Sequence, residues 1–189
     1  MSILVIGLII FLGIHSIQIV RPDFGPSMIA RYGQNAWKGS YTIIAIIGLL
    51  LVIYGFGLAR QTPALLYVPA PGLRHLTHLL MLPVFVLLFA TYFPGRIKSA
   101  VRHPMLWATI LWAVAHLLSN GHWHDVVLFG AFLVWAIADL ISMSKRPAKA
   151  IPTMPARRYN DLICIIGGLI VYLLFFGMLH RWLFGVAPM

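Results

Sequence analysis

A chain of 189 residues is of a size for one domain. Sixty-one per cent of it is hydrophobic and ten per cent charged. A soluble domain is nearer about half and a quarter, so this chain lacks the polar surface to stay in water. Its net charge of +10 does not mark a nucleic-acid binder, because the basic residues stand at the ends of apolar runs, where lipid headgroups meet them.

Taken in chain order, the apolar runs are residues 3–20, ending before Arg21; 40–59, between Lys38 and Arg60; 75–93, between Arg74 and Arg96; 104–118, after Arg102; 126–143, between Asp125 and Lys145; and 162–180, between Asp161 and Arg181. Most approach the ~20 residues that cross a bilayer as a helix. The run 104–118 is short, so it starts inside the headgroup layer. Open strands in lipid would leave backbone groups unpaired, and dense Leu and Ile without alternation argues against a barrel. The expectation is an all-α, polytopic bundle of about six transmembrane helices forming one domain over residues 1–189.

The first run carries its basic residue after the apolar core, the reverse of a cleaved signal peptide, and reads as a retained anchor. Loops one, three and five hold eleven of the fourteen Lys and Arg, and the opposite side holds Arg60, Arg74 and Arg181. The positive-inside rule then places both termini outside the cytoplasm. The stretch 144–160, with three prolines and five basic residues, reads as a flexible, headgroup-bound linker. A second proline-rich stretch, 63–71, forms an outer loop. Gly48, Gly167 and Gly168 are places where helices could approach closely. Cys164 is the only cysteine and reads as a small buried hydrophobe.

Glycine-rich phosphate loops, paired cysteines and soluble-enzyme signatures are missing from the sequence. Eight histidines and one intramembrane aspartate remain. His15 and His116 lie inside apolar runs, where imidazole is costly and should face the bundle interior. Each is either a neutral ring bonded to a neighbouring helix or an axial ligand to haem iron. His75 and His78 share a face at the start of the third run. His122, His124 and His180 read as interfacial. Asp139 lies about one turn from the inner end of the fifth run and needs a partner. Arg102 and His103, at the same membrane face, are the natural ones, and the three together make a polar inner site.

Several stretches resemble the NnrU family of bacterial membrane proteins. They are Gly13-Ile14-His15-Ser16, Arg31-Tyr32-Gly33, Trp37-Lys38-Gly39, Pro94-Gly95-Arg96-Ile97-Lys98, Arg102-His103-Pro104-Met105-Leu106, Leu111-Trp112-Ala113-Val114-Ala115-His116 through Gly121, Phe129-Gly130 through Asp139, and Arg158-Tyr159-Asn160-Asp161. The resemblance implies residence in the bacterial cytoplasmic (inner) membrane and a link to nitrite and nitric oxide metabolism, that is, denitrification. The plastid zeta-carotene isomerases look like distant relatives. They hold haem b between two histidines and isomerise a cis double bond without net redox change. His103 and His116, thirteen residues apart, are similar to their Arg-His-Pro and later His. The resemblance therefore implies haem b on His15 and His116. Ala113 stands where that enzyme has cysteine, so cysteine-dependent ligand exchange does not carry over.

By depth along the helices, His15 and His116 differ by on the order of 15 Å. Depth alone pairs His116 with His75 or His78, and His15 with His103, and these stay open as alternative ligands. Arg-His-Pro with a later acid is also similar to isoprenylcysteine-type membrane methyltransferases, but the paired glutamates are missing. The functions in view are a haem-binding membrane protein, an isomerase of a carotenoid-like lipophilic substrate, an accessory protein that assists a denitrification enzyme, and, third, a methyltransferase. The expected partners are the lipid bilayer and either a lipophilic substrate or such an enzyme, with no nucleic acid.

Overall fold

The computed structural model describes residues 1–146 and 151–188, and their apolar runs all fold as helices. They are α1 (Ser2–Val20), α2 (Phe24–Tyr32), α3 (Gln34–Ala59), α4 (Leu73–Tyr92), α5 (Arg96–Val101), α6 (Pro104–Ser119), α7 (Trp123–Met143) and α8 (Asn160–Leu174). A π-helical segment, Phe175–Leu179, continues α8 into α9 (His180–Phe184). Among the described residues the only strand-like pairing is one isolated bridge, Leu65 with His122. Five helical segments are long and apolar enough to cross a membrane: α1, α3, α4, α7 and the continuous Asn160–Phe184. α6, at 16 residues, is the shorter sixth. The chain is a multi-pass membrane protein.

The helices group into two units. The first holds α1, α2, α3 and α7. Its tightest pairing is α1 against α3, made by small residues. A Cβ on Gly7 would meet the Val52 amide nitrogen at 2.5 Å, and one on Gly48 the Phe11 nitrogen at 2.7 Å. The helices thus touch backbone to backbone, the usual way apolar helices gain contact in lipid. Leu4 and Leu8 are buried in this seam with Val52. Ile43, Leu50 and Ile53 remain about 60% exposed, which suits a lipid-facing side. α2 was not visible as a span, being nine residues long. It folds back through Gly33, whose φ of 85° a side chain would disfavour, and packs Phe24 edge-on to Trp37.

The second unit holds α4, α5, α6, α8, the π segment and α9. α4 is its centre, packed on both α6 and α8, with Val84, Leu87 and Ala108 buried among Met81, Leu111 and Trp112. Again glycine permits the approach: a Cβ on Gly168 would lie 2.6 Å from the Val86 nitrogen. Two motifs of the sequence meet at one end. The Asp161 carboxylate accepts from the Arg96 and Ile97 amides at 2.9 and 3.0 Å, capping α5 from another helix. Asn160, 2% exposed, donates its amide to the Pro94 and Pro155 carbonyls. Cys164 is fully buried, as expected.

The linker expectation is revised in part. Met154 donates its amide to the Tyr92 carbonyl at 2.9 Å, so the residues just before α8 are tied to the end of α4. Pro147 and Lys149 of that stretch lie outside the described residues.

Candidate functional site

His15 stands in the first unit, partly buried, and its surroundings are aromatic. Its ring lies 4.4 Å from Phe11, 5.5 Å from Tyr41 and 6.1 Å from Trp135, centroid to centroid, the last two edge-on. Three helices converge on it: α1 brings Phe11, α3 brings Tyr41 and α7 brings Trp135. Its Nδ1 is 2.6 Å from the Phe11 carbonyl, one turn back. A carbonyl only accepts, so Nδ1 is the donor, and in the neutral ring the lone pair is then on Nε2. The Gly48 contact with Phe11 fixes the very turn that holds the ring.

One turn along α1 from His15, Gln18 joins a polar group at the end of α7. Arg146 donates from Nη1 to the Gln18 side chain at 3.1 Å and from Nη2 to the Asp139 carboxylate. The two charged side chains are 12% and 15% exposed. Asp139 therefore takes Arg146 as its ion-pair partner, in place of the expected Arg102. The reason is helical geometry. Arg146 follows Asp139 by seven residues, two turns along the same face, and its long stem reaches back from the helix end. Two N–H groups of this region, Trp135 Nε1 and Arg146 Nε, are enclosed with no hydrogen-bond partner among the described residues.

His116 stands in the second unit on α6, also partly buried. Its Nδ1 is 2.8 Å from the Trp112 carbonyl, four residues back. This is the posture of His15 repeated. The His180 ring is nearly parallel to it, 24° off, with centroids 6.5 Å apart. His78, on α4, packs edge-on to Phe176 at 5.0 Å. The π-helical segment carries Phe176 and delivers His180, and an added residue per turn of this kind often sits at functional places. His180 read from sequence as interfacial, so its place beside His116 went unforeseen. His75 is exposed at the start of α4. Thr77 ties α4 to α6 through the Ser119 hydroxyl at 2.5 Å and the Ala115 carbonyl.

Arg102 and His103 also belong to the second unit. Arg102 is exposed, with φ of 62°, a region that costs a non-glycine residue of order 1–3 kcal/mol. The kink it makes separates α5 from α6 and lets Pro104 open α6 without losing a bond. Ala113, at the position of the isomerase cysteine, is fully buried.

Among curated proteins and among solved structures, nothing matches the chain. The sequence model described as NnrU protein matches residues 3–188, nearly the whole chain and all of the site residues above. The chain belongs to the NnrU family.

Proposed function

We propose that this membrane protein binds haem b through imidazoles inside its helices, with His15 and His116 as axial ligands. The observation that carries the reading is their shared posture. In each, Nδ1–H is held by the carbonyl four residues back, at 2.6 and 2.8 Å, which fixes the tautomer that offers Nε2 to iron. Ligand histidines are oriented by such second bonds. The two enclosed donors, Trp135 Nε1 and Arg146 Nε, suit carboxylate acceptors of the kind haem carries as propionates.

When bound, haem held by two imidazoles would supply an iron centre suited to electron transfer. The chain's own groups do the rest. Phe11, Tyr41 and Trp135 surround His15 with aromatic surface. Asp139 neutralises Arg146 and orients it. In the setting that the family name implies, the protein serves nitrite and nitric oxide metabolism at the bacterial cytoplasmic membrane. An accessory role beside a denitrification enzyme is the competing reading. Isomerisation of a carotenoid-like substrate is less favoured, because Ala113 offers no thiolate. The methyltransferase reading is weakened by the commitment of Asp139 to Arg146.

The test is the absorption spectrum of protein purified from cells supplied with haem precursor. A Soret band with sharp α and β bands on reduction is the expected result. Colourless protein that also fails to take up added haem would end the proposal.

A further inference from the structure

The outer end of α7 carries a second set of histidines, away from the sites above. His122, His124 and Asp125 each offer one ligand atom, and the three atoms lie within 4.8 Å of one another. The local backbone explains how two residues spaced by two can do this. His122 precedes the helix with an extended conformation, φ −84° and ψ 153°. Its side chain therefore leaves on the same side as that of His124, whereas inside a helix the two would diverge. The rings lie 14° from parallel with centroids 5.3 Å apart.

The turn that holds them is tied down. Leu66 and Tyr67 both donate their amides to the Gly121 carbonyl, at 2.8 and 3.1 Å, and Trp123 donates to the Ala64 carbonyl at 2.9 Å. The Tyr67 hydroxyl donates to the Asn120 carbonyl. Burial, and then the Asp125 carboxylate nearby, push that phenol up from its usual range, so it stays a donor. His124 and Asp125 are each 6% exposed, with the His124 ring edge-on to Phe56. The His122 side chain is 42% exposed and leaves a way in.

A triad that served only to cap the helix would close into hydrogen bonds of about 2.7–2.9 Å. Here the His122 Nδ1 and His124 Nε2 atoms stand 3.5 and 3.6 Å from the two carboxylate oxygens. Around a tetrahedral zinc ion, bonds of ~2.0–2.2 Å place neighbouring ligand atoms about 3.4 Å apart. We propose that His122 Nδ1, His124 Nε2 and the Asp125 carboxylate form a binding site for a transition-metal cation of the Zn²⁺ kind, with the fourth position open to solvent. Small rotations of the accessible His122 ring and of the Asp125 carboxylate would bring one oxygen and the two nitrogens to that spacing. Magnesium and calcium are poor candidates, since they take oxygen ligands. Arg60, within electrostatic range of His124, opposes any cation there, and it is the imidazole nitrogens that favour borderline ions.

The test uses the full chain in detergent, purified without a polyhistidine tag and stripped with a chelator, then titrated with zinc in competition with a chromophoric chelator. One strong equivalent is expected. Loss of an outer-shell partner alone costs metal sites about 10–100-fold, so His122→Ala and Asp125→Asn should each weaken binding by at least about tenfold. His75→Ala, at an exposed histidine on another helix, should leave it unchanged. Cobalt in place of zinc should give the intense visible bands of four-coordinate nitrogen and oxygen ligation, lost in His122→Ala. Because His122 is half-exposed, that variant keeps its fold, which the melting temperature checks. Zinc affinity unchanged in both variants, or reduced equally by His75→Ala, overturns the site. Neither result depends on the haem spectrum.

Discussion

Replacing Asp139 by Leu tests which arginine serves it. At an effective dielectric near 20, opposite charges ~4 Å apart attract by about 4 kcal/mol. Desolvation offsets most of that, so the intact pair adds little beyond an apolar substitute. Stranding one member is another matter. Both side chains are nearly nine-tenths enclosed, at 15% and 12% exposure, so solvent screening relieves little. Asp139→Leu should cost about 3–5 kcal/mol, and Arg146→Leu a similar amount. The double variant should cost clearly less than the sum, with a coupling of roughly 2–3 kcal/mol. Asp139→Leu combined with Arg102→Leu should be additive within about 0.5 kcal/mol. Equilibrium unfolding in mixed micelles at graded denaturing detergent reads all of these. Additive losses for Asp139 and Arg146, or strong coupling between Asp139 and Arg102, would refute the assignment.

Gly168→Ala forces a Cβ within 2.6 Å of the Val86 nitrogen and should destabilise by about 1–3 kcal/mol. Gly130→Ala, with open space around it, should be neutral or slightly stabilising, and the contrast in melting temperature checks both. Asp161→Ala removes the acceptor for two α5 amides and should cost about 1 kcal/mol, with faster proteolysis around Arg96 as the readout. A reporter fused after Met189 should be inactive if it needs the cytoplasm and active if it needs the outside. The opposite pattern would reverse the orientation drawn from the basic residues.

The spans were legible because charges mark their ends. α1 stops at Val20 before Arg21, and α3 at Ala59 before Arg60. The start of α3 was placed six residues late, at 40 in place of Gln34, because Lys38 was read as a boundary. A lysine stem can run along a helix and lift its charge to the interface, so a single Lys does not end one. α2 and α5 are too short for hydropathy to find. Asp139 in an apolar run calls for a partner, and it has one in Arg146, which the sequence pattern hides because the proline-rich stretch that holds it reads as linker. The Gly48 and Gly168 approaches were visible as glycines in apolar runs, though which helix each met was not. His180 was discounted because it ends an apolar run. The π segment before it, which no residue pattern announces, turns it toward His116. His122 and His124 looked like loop residues because their convergence depends on one extended backbone at His122.

The haem proposal meets its most direct test in single histidine variants read by absorption spectroscopy. His15→Ala and His116→Ala should each abolish the six-coordinate spectrum, while His75→Ala and His78→Ala keep it. If loss of His75, His78 or His180 removes the haem signature and loss of His15 does not, the shared carbonyl-anchored posture of His15 and His116 is a structural feature only, and the ligands lie among the histidines of α4 and α9.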